Sequence, residues 1–195
     1  MITRFYFALY FIFIVAFSSK AQQFVESWDG TPNLERHQLT LNFAGPGIRY
    51  ELGVLKNLSI SVSLSPGFAT YEEGYSFGLA LHTRVRYYHN FRTRYNFGRK
   101  VIGNSANYFS IARTSFYEPV QLTYSMDAQK NFTLTFFGAL YGLQRTNKKG
   151  FNTTVEFGAG YYDGFGVESG FGPLINFTFG WVPTNRGSNK TIKVN

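Results

Sequence analysis

The sequence predicts an all-β protein, a closed antiparallel eight-stranded transmembrane β-barrel. Three observations predict it. Apolar residues recur with period two in segment after segment, the signature of strands with two unlike faces. Charged residues are only 15%, where a soluble domain carries about 25%, while aromatics reach 19% and Gly contributes 20 residues. The chain also opens on an export segment. Its 195 residues suit one domain. Cys is absent, which removes disulfides, Cys-ligated zinc and thiol catalysis.

Residues 1–21 read as a signal peptide. Arg4 is the basic start, Phe5–Phe17 is apolar, and Ser19-Lys20-Ala21 offers small residues before a cleavage at Gln22. The apolar run is shorter than the about 20 residues that a spanning helix needs. Residues 22–36 are expected to be a polar tail.

Strands are expected over 37–44, 47–55, 58–68, 76–89, 107–117, 131–146, 151–163 and 173–183. In the first, Leu39, Leu41 and Phe43 share a face. In the second, Ile48, Tyr50, Leu52 and Val54 oppose Arg49 and Glu51. The apolar phase flips between Phe43 and Ile48, which one straight strand cannot do. Gly45-Pro46-Gly47 sits at the flip, as a bulge or, preferably, a tight turn between two strands. Leu58, Ile60, Val62 and Leu64 alternate with serines. Phe77, Leu79, Leu81, Val85 and Tyr87 oppose Gly78, Ala80, His82, Arg84, Arg86 and Tyr88. The faces of 107–117 are ambiguous, and 131–146 is apolar on both faces in its middle. Val155 and Phe157 oppose Glu156 and Gly158. Ile175, Phe177, Phe179 and Trp181 oppose Asn176, Thr178 and Gly180. The connection 90–106 is long and holds Phe91, Tyr95, Phe97, Val101 and Ile102, so it is expected to pack on the barrel floor. Residues 184–195 read as a polar tail.

Alternation alone leaves open which face is inside. A soluble barrel buries the apolar face; an outer-membrane barrel turns it to lipid and keeps a polar interior. Three features favour the second. The polar face is Ser, Gly, Ala and Asn with Arg and Glu, and the strands hold no Lys. Aromatic residues gather at strand ends (Tyr50, Tyr87, Tyr88, Tyr117, Tyr161, Tyr162, Trp181), as interfacial girdles do. The signal peptide carries the chain past the inner membrane.

An even number of strands brings both termini to one side, the periplasm. The outer loops then fall near 45–46, 66–75, 118–130 and 164–172. They carry Glu72, Glu73, Glu118, Asp127 and Glu168, with Asp163 at a strand end. The inner segments carry Lys56, Arg92, Arg94, Arg99, Lys100, Lys148, Lys149, Arg186, Lys190 and Lys193 and no acid. Basic loops facing out, bound to anionic lipid head groups, are the inverted alternative.

This architecture, the Gly45-Pro46-Gly47-Ile48-Arg49-Tyr50-Glu51 entry and the closing strand Pro173–Val182 resemble the small eight-stranded outer-membrane barrels of the OmpA transmembrane-domain and OmpX type. The resemblance covers about 37–183. It implies an outer-membrane location among lipids and lipopolysaccharide, and insertion by the barrel assembly machinery. In that family the machinery reads a C-terminal aromatic. Here polar residues follow Trp181, so the signal would lie internally at Gly180-Trp181-Val182. The resemblance carries no expectation of a cell-wall anchor, since a peptidoglycan-binding domain is not expected after the barrel.

Eight strands enclose room for side chains or one small ligand. Arg49, Glu51, Arg84, Arg86 and Glu156, with His82 among them, are expected to form a paired lumen network, because an isolated charge there is costly. The expected role is structural or surface-interacting, without catalysis, cofactor or metal, in a monomer. The contact surface would be the acidic, aromatic loops, with Glu72, Glu73, Tyr75, Glu118, Asp127 and Asp163. The alternative is a lipid-modifying acyl hydrolase or transferase using His82, His89 or His37 with Ser76 or Ser110. A soluble lipocalin-like binder is the third reading. Three scattered His give no metal-ligand spacing, and dispersed basic turns make nucleic acid a poor partner.

Overall fold

The computed structural model describes residues 33–71, 74–117, 123–124, 133–164 and 168–183. The strands are β1 (His37–Ala44), β2 (Gly47–Gly53), β3 (Leu58–Tyr71), β4 (Gly74–Tyr87), β5 (Asn107–Tyr117), β6 (Thr123–Tyr124), β7 (Leu134–Thr146), β8 (Phe151–Asp163) and β9 (Gly170–Trp181). One short helix, α1 (Phe91–Asn96), lies between β4 and β5. Eight strands pair antiparallel in the order β1-β2-β3-β4-β5-β7-β8-β9, and β9 returns to β1 to close the barrel. The two-residue β6 pairs with Ser76 and Phe77 of β4.

The phase flip at 45–47 resolves as a turn. β1 and β2 are separate strands paired from His37↔Leu52 to Asn42↔Gly47. Gly45 takes φ +61 and Gly47 φ +151, values that side chains disfavour. Their flanks are also closed. A Cβ on Gly45 would meet the Phe177 carbonyl at 2.7 Å, and one on Gly47 the Leu64 carbonyl at 2.4 Å. The turn is wedged between β9 and β3.

Several boundaries differ from the sequence expectation. The loop expected near 66–75 is mostly strand, because β3 and β4 zip up to Tyr71↔Gly74. β9 begins earlier, at Gly170. The polar tail is not all tail: Leu34 and Glu35 are buried. Val54, Leu55, Tyr88, His89, Val182 and Pro183 lie just outside their strands. Asn131, Phe132, the signal segment 1–21 and the tail 184–195 lie outside the described residues.

The faces follow the pleat. On β5, Tyr108, Ser110, Ala112 and Phe116 turn in, while Phe109, Ile111 and Arg113 turn out; on β7, Phe136, Leu140, Gly142 and Gln144 turn in. Outside, Ile60, Val62, Leu64, Ile111, Phe137, Phe157, Phe177 and Phe179 are all exposed. Arg113 is an exception in this apolar exterior.

One end of the barrel is closed. Phe91 of α1 packs with Leu34, Tyr88, Val101, Ala106 and Tyr108. Asn90 does not cap the helix with its side chain; its Oδ1 accepts the Asn107 amide at 2.8 Å instead. Glu35 N–H donates to Asn104 Oδ1 (2.8 Å), and Glu35 Oε1 accepts from Gly103 N–H (2.6 Å). Thr146 and Gln144 side chains both donate to the Gly103 carbonyl. Ser105 donates to the Ile102 carbonyl. The expected floor element is present, with Tyr95 and Phe97 left exposed.

Tyr108 shows how the interior fits large side chains. Its cross-strand partner is Gly142, and a Cβ there would fall 2.1 Å from the ring. The ring lies on bare backbone. Gly142→Val is therefore expected to destabilise the fold by about 1–3 kcal/mol through overpacking, read as a lower urea midpoint for the refolded protein.

Candidate functional site

The distinctive chemistry lies inside the barrel. Alternation on β2, β4 and β8 turns Arg49 and Glu51, Arg84 and Arg86, and Glu156 inward, and all five are buried. Arg86 stands at the centre. Its Nη1 donates to Glu51 Oε2 at 3.0 Å and to Gln144 Oε1 at 3.2 Å. Its Nη2 donates to Glu156 Oε1 at 3.1 Å. The guanidinium carbon stands 4.7 Å from the centre of the Tyr108 ring. One cation thus ties β2, β4, β7 and β8 together across the lumen.

Both carboxylates are filled with donors. Glu51 Oε1 accepts from Ser59 and Tyr88 hydroxyls, each at 2.7 Å, and from Asn104 Nδ2 at 3.1 Å. Glu156 Oε1 also accepts from Tyr108 at 2.8 Å, and its Oε2 from Asn176 Nδ2 at 3.0 Å. Arg84 Nε lies 3.6 Å from Glu156 Oε2. Such saturation is what makes a buried ion pair tolerable, since each ion loses its water.

The expected network is not uniform. Arg49 is held by neutral oxygens, Asn152 Oδ1 at 2.7 Å and Thr154 Oγ1 at 3.1 Å. His82 sits between two hydroxyls: one ring nitrogen faces Ser65 Oγ at 2.8 Å and the other Thr114 Oγ1 at 3.0 Å. Ser110 is not the hydroxyl on His82. Ser110 is opposite Arg86, and the side chain of Ser76 lies outside the description. Ser65 was missed because the register that sets it opposite Ala80, beside His82, is a tertiary fact. His37 and His89 sit on aromatic clusters of the exterior. His37 Nδ1 meets Tyr50 OH at 2.6 Å, and the His89 ring is 5.2 Å from Phe109.

Tyr88, expected in a girdle, turns inward and donates to Glu51. Asn104, Gln144 and Tyr108 joined the site without a sequence signal, since Tyr108 belongs to a strand whose faces were ambiguous and Gln144 to one apolar on both faces in its middle. Of the expected loop contacts, Glu72, Glu73, Glu118 and Asp127 lie outside the described residues, as does the side chain of Tyr75. Asp163 is exposed at the end of β8 and accepts from Ser169 at 2.6 Å. On the floor, burial and then neighbouring Arg99 lower the pKa of Arg94, whose Nε donates to the Ser105 carbonyl at 2.9 Å.

The lumen changes character toward the rim, the end opposite α1. There Ala112, Phe136 and Leu140 form a second buried cluster, with Tyr162 and Leu174 packed on it. Among the described residues no group of His, Asp and Glu has the arrangement of a metal site.

Replacing Arg86 by Met leaves two buried carboxylates without their shared cation. The expected loss is about 3–5 kcal/mol, read by denaturant unfolding. Arg49→Met, which leaves only neutral oxygens unpaired, should cost less.

Compared with family models, curated proteins and solved structures, the chain matches none.

Proposed function

We propose that the protein is an outer-membrane β-barrel, delivered by the 1–21 signal peptide and inserted as a monomer, with a plugged polar lumen and a structural or surface-interaction role. The observation that carries this reading is the inverted distribution of polarity. Phe177 is 53% exposed and Ile175 81%, whereas Arg86 is 2% and Glu156 1% exposed. In water that arrangement is wrong on both sides: contiguous apolar surface invites association, and buried charge costs solvation. In a bilayer the exterior is solvated by hydrocarbon, and a closed sheet leaves few backbone groups unpaired.

The dimensions support it. Strands of 12 to 14 residues make up most of the wall. At a rise of about 3.3 Å and a tilt of about 40°, they stand roughly 30 Å tall, enough for the about 25 Å apolar band of such barrels. Trp181, Tyr87 and Phe151 stand at the floor end of the exterior and Tyr161 and Phe171 at the rim, as aromatic girdles do. The floor would face the periplasm and the rim the outside, where lipopolysaccharide and the acidic loops meet. Catalysis is not part of this reading, and the barrel assembly machinery would be its transient partner.

Fractionation of cells expressing the full chain should recover it with the outer membrane. The unboiled band should migrate differently from the boiled band. Recovery in the soluble periplasmic fraction would favour the lipocalin-like reading and defeat this one.

One contact favours the enzyme reading as a second possibility. Ser65 and His82 are hydrogen-bonded, as a nucleophile and its base would be. The group beyond His82 is a threonine rather than a carboxylate, a weaker orienting partner. Purified protein in mixed micelles with a phospholipid should release no fatty acid. Release that disappears in both Ser65→Ala and His82→Ala would overturn the non-catalytic assignment.

A further inference from the structure

The floor end of the exterior carries a second polar construction, built from the long connection and the floor ends of β5 and β7. It gathers three arginines. Arg94 Nε donates to the Ser105 carbonyl at 2.9 Å, and its Nη2 to the Lys100 carbonyl at 3.2 Å. Arg99 N–H donates to the Arg94 carbonyl at 2.9 Å, which folds Arg99 back beside it. Arg145 turns outward between inward Gln144 and Thr146 of β7, and its Nη2 donates to Asn107 Oδ1 at 2.6 Å. The segment 105–107 lies along the end of β7: Thr146 N–H donates to Ser105 Oγ at 2.7 Å, and Gln144 N–H to the Ala106 carbonyl at 3.0 Å. Arg94 and Arg145 are therefore anchored two residues apart on one segment. Arg145 feels the charge of both Arg94 and Arg99.

Among the described residues no carboxylate faces this cluster. Glu51 and Glu156 lie in the lumen, Asp163 and Glu168 at the rim, and Glu35 accepts from Gly103 N–H. The bonds that hold Arg94 and Arg145 go only to neutral oxygens. Arg99 is exposed, and its side chain makes no hydrogen bond among the described residues. Three cations are thus held together against their mutual repulsion. Next to them the wall turns aromatic. Asn107 joins the two zones: its Oδ1 holds Arg145, and its Nδ2 donates to Tyr141 OH at 2.8 Å. The Tyr141 ring is 5.2 Å from Phe109 and 5.5 Å from Phe157, and the His89 ring packs on Phe109 and Tyr141. Phe109 and Phe157 are exposed, so the ladder runs from the arginines up into the apolar exterior.

We propose that Arg94, Arg99 and Arg145 bind the phosphate of an anionic membrane phospholipid, whose acyl chains lie along Phe109, Tyr141 and Phe157 on the outside of the wall. The inference rests on the membrane reading and adds a site to it. The chemistry selects the occupant. Guanidinium groups present paired N–H donors that match phosphate oxygens, and an anion between them removes the repulsion. An aromatic girdle marks the level of lipid head groups, so the arginines beside it stand where a phosphate lies. A basic cluster there favours a lipid of net negative charge over a zwitterionic one. An acidic protein would meet the same charge. The aromatic ladder, however, leads away from the arginines into the apolar band, where hydrocarbon lies. A free phosphate ion would use the arginines and leave the ladder without a role.

The test takes the full chain refolded into phosphatidylcholine vesicles and extracted in detergent. Native mass spectrometry then follows the lipid retained on the protein as phosphatidylglycerol is added. The expected result is phosphatidylglycerol retained in preference to phosphatidylcholine. Arg99→Gln/Arg145→Gln should weaken its retention about tenfold or more, as two cations are lost at a lipid surface. Arg94 stays, because its bond to Ser105 holds the floor. The charge-matched Lys148→Gln/Lys149→Gln, on the exposed β7–β8 turn, should retain the lipid as the wild type does. The heat-shifted gel band reports folding. Arg99→Gln alone breaks no side-chain hydrogen bond and should weaken retention several-fold, which keeps the test open if the double variant does not fold. Excess inorganic phosphate should leave the lipid bound. Equal retention of the two lipids, indifference to the arginine substitutions, or an equal loss in the lysine variant would overturn the site and leave the membrane reading standing. So would displacement by inorganic phosphate, since the ligand would then be an ion rather than a lipid. Failure of the chain to enter the vesicles at all would remove the membrane reading and the site together.

Discussion

The guanidinium of Arg86, shared between Glu51 and Glu156, is the interaction on which the interior depends. The strands that carry these groups are not all neighbours, so the bonds brace the barrel across its diameter. A hydrophobic core would do this by packing; this barrel does it with charge, because the exterior has taken the large apolar side chains. A charged interior is stable only when nearly every donor and acceptor is matched. That requirement recruits Ser59, Tyr88, Asn104, Tyr108, Gln144 and Asn176, each from a different place in the chain. The floor belongs to the same logic. Asn104 of the long connection reaches Glu51, and Glu35 of the N-terminal segment reaches back to that connection.

The two halves of the lumen therefore do different things. Toward the floor, ion pairs and hydrogen bonds fill the space and block passage. Toward the rim, Ala112, Phe136 and Leu140 pack together with Tyr162 and Leu174 on them, so apolar contact replaces charge there. Ser65 and His82 sit between the two regions.

Much of the wall was legible in the sequence. Alternation in 58–64, 76–87 and 151–162 placed Arg84, Arg86 and Glu156 inside correctly, because a strand buried on one side constrains every second residue. The flip at Gly45-Pro46-Gly47 separated two strands. Legibility failed where both faces carry apolar or small residues. In β5 and β7 the inward Tyr108 and Gln144 could not be told from outward residues, because alternation loses its contrast there. It failed again at 66–75, expected as a loop, because the pairing of 69–71 with 74–76 is a matter of register rather than of local pattern. Leu34 and Glu35 looked like tail because the groups that bury them lie about 70 residues away.

Local chemistry determined the strands, the turn and the unlike faces, because side-chain direction alternates in any extended segment whatever it pairs with. What lies next to what was decided by tertiary structure alone. Register chose Ser65 rather than Ser76 or Ser110 for His82, brought three strands to one guanidinium, and stopped the hairpin short of its neighbours. Those outcomes depend on how far each strand slides past the next, which closing the sheet sets for all strands at once.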